Sequence, residues 1–143
     1  MAQFVTFRLD KQLLGIDLLR VREVNQVLDI TPVQHARPYI LGLVNLRGQT
    51  VVIFDLGICL GLKPAVMTDE SHAIVLKDER VGLLVDRIGD VVQAEESEIE
   101  FSLADRGGMG IPFSKGVLKL KDDLLVILSA KKIIEQEVAE GNR

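Results

Sequence analysis

The sequence predicts a mainly β protein built from two small barrels, and three observations indicate this class. Apolar and polar residues alternate along several short segments, as they do in half-buried strands. Turn residues recur at intervals of about ten positions, which is typical of the short strands of small barrels. A shift of 67 positions carries Gly15 onto Gly82, and a shift of 74 carries Gly42 onto Gly116. We interpret the two shifts as the signature of two related β units with a similar strand order.

Four strand pairs are predicted in chain order. The first alternates between Phe4 and Leu18 around a polar turn. The second flanks the segment N-L-R-G-Q at 45–49, where Gly48 can adopt the positive φ that a tight hairpin turn requires. The third and fourth pairs surround polar turns at 77–80 and 121–123.

Helices are predicted to be few and short, over Asp17–Val24, Asp55–Leu60 and Ser129–Val138. Asp55 and Ser129 are residue types that favour the N-cap position of a helix. Gly61 suits the position just after the end of the second helix. The segment Glu95–Phe113 carries acidic residues, glycines and a proline, and is predicted to be a loop.

Composition excludes several classes of function. The net charge is −4, Lys and Arg are scattered, and aromatic residues make up 4% of the chain, which argues against nucleic-acid binding. No apolar run approaches the roughly 18 residues of a membrane span, so no direct membrane insertion is predicted. The N-terminus lacks the pattern of a secretory signal, and Cys59 has no second cysteine for an internal disulfide. These absences predict a cytoplasmic location.

Candidate chemical groups each have a simpler structural explanation. His35 and His72 do not lie at the spacing of metal ligands, and Cys59 lies on the apolar face of a short helix. Asp55 and Asp86 each end an apolar run, where capping and turn formation explain a carboxylate. The sequence therefore predicts no catalytic residue, no metal site and no cofactor. An enzyme that uses the two carboxylates is the alternative from a different class.

Several motifs occur in a defined order: V-R-E-V at 21–24, I-T-P-V at 30–33, P-Y-I-L-G at 38–42, N-L-R-G at 45–48, D-L-G-I-C-L-G at 55–61 and G-L-L-V-D-R-I at 82–88. Together they resemble the motifs of the CheW family, the adaptor proteins of bacterial chemotaxis, over nearly the whole chain. In one respect the chain differs. Many members carry a proline in the second strand of the N-L-R-G hairpin, where this chain has Val51-Val52-Ile53.

The resemblance implies a fold and a function. The fold is mainly β, with two SH3-like five-stranded barrel subdomains that share a core, short helices and a C-terminal helix. Residues 1–143 would form a single domain in which the two barrels intertwine, roughly as first half and second half. The function is that of a non-catalytic adaptor that couples methyl-accepting chemoreceptors to the histidine kinase CheA at receptor arrays. The alternative within the family is an adaptor of a chemosensory-like pathway with another output, such as type IV pili.

Two sets of residues are predicted to bind partners. An apolar groove for the coiled-coil tip of a receptor would use the positions Val24, Val27, Ile30, Val33 and Val91, for which core packing is the alternative. Contact with the regulatory domain of the kinase, or with the receptor, would use Asn45, Arg47 and Gly48. Arg47 has three interpretations: a solvated turn residue, a brace for the loop after Pro38, or a partner contact, which we favour.

Overall fold

The structure, a computed structural model, describes residues 1–26, 29–101 and 111–141 (of 137–141, the backbone only). Its strands are β1 (Ala2–Leu9), β2 (Gln12–Asp17), β3 (Val21–Gln26), β4 (Ile40–Leu46), β5 (Gln49–Asp55), β6 (His72–Leu76), β7 (Val81–Val85), β8 (Arg87–Ala94), β9 (Ile99–Phe101), β10 (Ser114–Lys119) and β11 (Leu124–Leu128). Its helices are α1 (Leu56–Cys59) and α2 (Ala130–Gly141), with short 3₁₀ turns at Leu18–Arg20 and Glu96–Glu98.

The strands form two sheets. One has five strands in the order β3-β6-β7-β5-β4, and the other has six in the order β8-β1-β2-β11-β10-β9. The mainly β prediction is confirmed, and the second sheet has β9 in addition to the five strands expected. Within the described ranges, hydrogen bonding does not close either sheet into a complete ring, because β3, β4, β8 and β9 are sheet edges. Each sheet takes strands from both halves of the chain.

Two parallel strand pairs show the internal repeat. Ile53 of β5 lies opposite Gly82 of β7, and Ile127 of β11 lies opposite Gly15 of β2. The shift of 67 positions carries Gly15 onto Gly82, and the shift of 74 positions carries Ile53 onto Ile127, so the two pairs are equivalent in the repeat. Both glycines make room for a neighbouring side chain. A Cβ at position 82 would lie 3.0 Å from Ile53 Cδ1, and one at position 15 would lie 3.1 Å from Leu125 Cδ1.

Central strands are buried on both faces, so the protein has more than one core. Phe54 and Val126 face a core shared by the two sheets, while the neighbouring Ile53 and Ile127 face the interiors of their own sheets. Successive side chains of a strand point to opposite faces, which places neighbours in different cores. The shared core holds the two sheets together, as predicted.

The backbone of Thr31 lies against β4, and this close contact explains Gly42 of the P-Y-I-L-G motif. Thr31 and Leu43 exchange backbone hydrogen bonds of 2.9 and 2.8 Å beside a bulge in β4. A Cβ on Gly42 would lie 2.2 Å from the carbonyl oxygen of Thr31, so only glycine permits this approach. The bulge recurs in β10, where Phe101 of β9 pairs with Gly116.

The prediction of a helical turn over Asp17–Val24 is wrong for its second half. A 3₁₀ turn covers Leu18–Arg20, and residues from Val21 onward form β3. A bulge in the pairing of β3 with β6 lies between Val21 and Glu23. The bulge inserts an extra residue, so Val21 and Val24 both turn towards the core at a spacing that imitates a helix.

The other helix predictions hold. Ile58 donates its backbone N–H to Asp55 Oδ1 at 3.3 Å, and Gly61 has a φ of 73°. The Ser129 hydroxyl accepts the backbone N–H of Lys132 at 3.2 Å, and α2 continues to Gly141. The predicted loop over Glu95–Phe113 instead begins with a 3₁₀ turn and β9. Residues 102–110 and the side chain of Val138 lie outside the described part.

Candidate partner-binding site

The β4–β5 hairpin presents Arg47 at a two-residue turn. Leu46 and Gln49 are paired residues, so Arg47 and Gly48 alone form the loop. Their φ angles are 53° and 80°. Positive φ at both central positions is the type I′ geometry whose twist matches that of hairpin strands. The side chain of Asn45 fixes the turn further, because its Oδ1 accepts the backbone N–H of Gly48 at 3.1 Å.

Glu23 is the hub of a polar cluster beside this turn. Its Oε1 accepts Asn25 Nδ2 at 2.5 Å, and its Oε2 lies 3.2 Å from Arg22 Nε and 3.6 Å from Arg47 Nη1. Arg22 Nη1 also donates to Gln49 Oε1 at 3.1 Å. We call these five residues the tip network. They join the edge strand β3 to the β4–β5 turn without a backbone hydrogen bond between them.

The tip network favours the ionised form of Glu23. The hydrogen bond from Asn25 lowers the pKa of this carboxyl most, and burial opposes it. The charges of Arg47 and Arg22 lower the pKa further. Arg47 itself remains 81% exposed, so most of its guanidinium faces solvent. The result is a positioned basic group that a partner can reach.

The predicted groove residues lie in different surroundings. Val24 packs against the shared core, whereas Ile30 packs against the interior of the five-stranded sheet. Val33 and Val91 are 43% and 50% exposed, on the loop before β4 and on the edge strand β8. Val27 lies outside the described residues. Core packing therefore accounts for part of the burial of Val24 and Ile30, while Val33 and Val91 are available at the surface.

A cavity of about 690 Å³ borders Val33. Its floor is apolar and comes from side chains of β4 and β5, among them Ile40, Leu43 and Val52. Its wall is the loop at 33–38, which includes His35 and Arg37. The lining therefore combines apolar side chains of β4 and β5 with both apolar and polar side chains of the loop at 33–38.

The carboxylates considered for catalysis have structural roles. Asp55 is 1% exposed, caps α1 and accepts the backbone N–H of Ala65 at 3.0 Å. Asp86 Oδ2 accepts the backbone N–H of Asp10 at 2.9 Å. Cys59 is buried. In the described ranges, no three His, Cys, Asp or Glu side chains gather in a way that could hold a metal ion.

Of the helices that the described residues form, none has both the length and the apolar character needed to span a bilayer.

Sequence reasoning missed Arg22, Glu23, Asn25 and Gln49 as members of a site. The predicted helical turn over Asp17–Val24 contains Arg22 and Glu23, but it does not indicate that they lie beside the hairpin. One signal could have located the cluster. Arg22 and Glu23 are adjacent charges of opposite sign between Val21 and Val24, and charged residues on a strand can pair with opposite charges on a neighbouring strand.

Comparison with known proteins gives consistent matches over almost the full length. A family model described as the CheW-like domain matches residues 3–138. A "Chemotaxis protein CheW" of Thermotoga maritima is 32% identical over 142 residues, covering 97% of this chain and 92% of that protein. A "Chemotaxis protein CheW" of Rhizobium meliloti is 29% identical over 141 residues, covering 97% and 91%.

A solved structure matches the fold as well. The crystal structure of the scaffolding protein TtCheW from Thermoanaerobacter tengcongensis superimposes with a TM-score of 0.81 at 27% sequence identity. The match covers 90% of this chain and 84% of that one. The two-sheet arrangement described above is therefore also that of a solved protein.

Proposed function

This chain belongs to the CheW-like domain family, and we propose that it is a non-catalytic adaptor that couples methyl-accepting chemoreceptors to the histidine kinase CheA in bacterial chemotaxis. The family model covers residues 3–138, and the relatives described above are named chemotaxis proteins. The solved neighbour is called a scaffolding protein. We favour chemotaxis over another output, such as type IV pili, because these names refer to chemotaxis.

An adaptor works through binding alone. A small bivalent module that holds a kinase and a receptor at once raises the effective concentration of one at the other and fixes their geometry. Residues 1–143 would act as one domain, since a shared core joins the two sheets. No cofactor or catalytic group is required. The site of action would be the cytoplasm, at receptor arrays on the inner membrane.

The observation that carries the proposal is the exposed but positioned side chain of Arg47. Most solvated arginines are free to sample many rotamers, and ordering them on binding costs free energy. Here a two-residue turn fixes the backbone, and Glu23 Oε2 lies 3.6 Å from Nη1. A guanidinium held in this way can donate to a carboxylate or a carbonyl of a partner at reduced entropic cost. We propose that Asn45, Arg47 and Gly48 contact the regulatory domain of the kinase or the receptor.

The receptor tip is proposed to occupy an apolar groove. The residues proposed for it are Val24, Val27, Ile30, Val33 and Val91. The exposure of Val33 and Val91 supports the proposal, because apolar side chains at the surface are available to the apolar face of a partner helix. The cavity beside Val33 offers room for a side chain of that helix.

The adaptor function is tested with purified components. The chain is mixed with the regulatory domain of the CheA kinase and with a cytoplasmic receptor fragment from the same organism, first separately and then together. We expect binding to each partner by calorimetry and a ternary complex by size-exclusion chromatography. Failure to bind either partner would reject the proposal. Binding of the two partners that is mutually exclusive would reject the bivalent mechanism.

A further inference from the structure

The N-terminal hairpin fills a slot in the six-stranded sheet. Strands β1 and β2 lie between β8 and β11, which come from the second half of the chain. β1 pairs with β8 from Ala2 opposite Ala94 to Arg8 opposite Arg87. β2 pairs in parallel with β11. We call the space between β8 and β11 the hairpin slot. The hairpin forms backbone hydrogen bonds with both strands that border this slot.

The hairpin also supplies side chains to two cores. Phe4 is 2% exposed and packs inside the six-stranded sheet. Phe7, Leu14 and Ile16 are fully buried in the shared core. An empty slot would leave two strand edges unpaired and two cores open to water. Its shape and register therefore select one occupant, a hairpin with this sequence.

The connection between the hairpin and the rest of the chain is short and partly exposed. It is the 3₁₀ turn Leu18–Arg20, none of whose residues is buried, and Leu19 is 75% exposed. Three hydrogen bonds fix it, one of them from the backbone N–H of Val21 to the carbonyl of Leu18. The N–H of Leu19 donates to Asp17 Oδ1 at 2.9 Å, and the N–H of Lys77 donates to the carbonyl of Arg20 at 2.9 Å. Leu18 packs against the shared core, whereas Leu19 and Arg20 are exposed, so straightening the turn would cost the contact of Leu18 and these hydrogen bonds.

We propose that the hairpin slot accepts the N-terminal hairpin of a second copy of this chain, which gives a reciprocally exchanged dimer. With Leu18–Arg20 extended, β2 would run directly into β3, and the three residues would span roughly 10 Å. The exchanged hairpin would make the same contacts as the original one, so the two forms differ mainly at the turn and in the cost of association. Such a dimer would display two copies of the tip network. This inference does not depend on the proposed function.

Disulfide trapping tests the exchange. Gln3 and Gln93 are exposed Cα partners in the β1–β8 pair. Partners in an antiparallel pair lie about 4.5–5.5 Å apart at their Cα atoms, which suits a disulfide. One full-length chain carries Gln3→Cys and another carries Gln93→Cys. The two are unfolded together, refolded at a series of concentrations and oxidised. Cys59 is buried in both and serves as a common background.

We expect a covalent dimer whose share rises severalfold when the total chain concentration during refolding rises about tenfold. A chain with both substitutions shows that the geometry permits the bond, since it should oxidise within one molecule. The matched control combines Gln3→Cys with Lys63→Cys, because Lys63 is exposed but has no place in the slot. The proposal is overturned if the co-refolded pair gives no more covalent dimer than this control at any concentration.

Discussion

Arg47 Nη1 lies 3.6 Å from Glu23 Oε2, although β3 and β4 are opposite edges of the five-stranded sheet. The sheet must curl until its two edges nearly meet. Beside the β4–β5 turn, side chains connect the two edges, while farther along β4 the backbone of Leu43 is hydrogen-bonded to Thr31, which follows β3 in the chain. Arg22 and Gln49 make a second link across the same gap. The tip network therefore stabilises the curl of the sheet and positions Arg47 at the same time.

The stabilising effect of Glu23 should depend on pH. Its pKa is lowered in the folded protein, first by Asn25 and then by the two arginines, from an ordinary value of 4.5. A lowered pKa means that the ionised carboxylate stabilises the fold above pH 4.5, and that this contribution disappears as the pH falls through the folded pKa. We expect Glu23→Gln to reduce the melting temperature near neutral pH and to match the parent in acid.

Thermal melts of the parent and of Glu23→Gln between about pH 3 and about pH 7 measure this difference. Glu135→Gln is the control, because Glu135 is exposed on α2 and lies outside the tip network. A melting difference for Glu23→Gln that stays constant down to the lowest pH would show that the carboxylate charge is not responsible.

Arg47→Ala should separate partner binding from stability. Because Arg47 is 81% exposed and approaches Glu23 at 3.6 Å, its loss should leave the melting temperature close to that of the parent. Loss of its hydrogen bonds to a partner should weaken binding by about 1–3 kcal/mol. Calorimetry with the kinase regulatory domain and with the receptor fragment shows which partner is affected.

Lys121→Ala is the matched control for this substitution. Lys121 is exposed in the β10–β11 turn, which the shift of 74 positions makes the counterpart of the Arg47 turn. We expect it to bind both partners as the parent does. Normal melting and unchanged binding of Arg47→Ala would leave Arg47 as a plain turn residue, and a large fall in melting temperature would indicate a brace.

Val33→Glu should weaken receptor binding without unfolding the protein. Val33 is 43% exposed beside the cavity, so a carboxylate there remains solvated in the free chain. In a complex with an apolar helix it would lose that solvation, at a cost of about 1–3 kcal/mol. The control is Val66→Glu, since Val66 is 68% exposed on the segment between α1 and β6. Equal receptor affinity for the two variants would remove Val33 from the groove.

The sequence predicted the four main hairpins because alternation and turn residues are local signals. It also predicted the positive φ of Gly48 and the caps Asp55 and Ser129, which depend on a few adjacent residues. The interpretation of 17–24 failed where a bulge breaks the alternation of β3. Bulges arise from pairing with a distant strand, here β6, and a local pattern does not contain that partner.

In the candidate site, too, the sequence indicated what depends on adjacent residues and did not indicate what depends on distant strands. Arg47 was identified from its place in a recognisable turn. Glu23 was not, because its contact with Arg47 depends on the curl of a whole sheet and not on spacing along the chain. The fate of Ile30 also depended on tertiary structure, since its core is built by β5, β6 and β7. Residues that meet through topology need either the fold or a relative to reveal them.

Gly42→Ala and Gly48→Ala should differ sharply in stability, although both positions have positive φ. Their φ angles are 152° and 80°. Around Gly48 there is open space, so alanine there should cost only the roughly 1–2 kcal/mol of a left-handed backbone. At Gly42 the new Cβ would lie 2.2 Å from the Thr31 carbonyl oxygen, and backbone cannot yield as a flexible side chain does. The two hydrogen bonds between Thr31 and Leu43 would have to break, for a total cost of about 3–5 kcal/mol. Urea unfolding of both variants measures the difference, and equal losses would mean that the crossing of 31 over β4 is not as close as the structure has it.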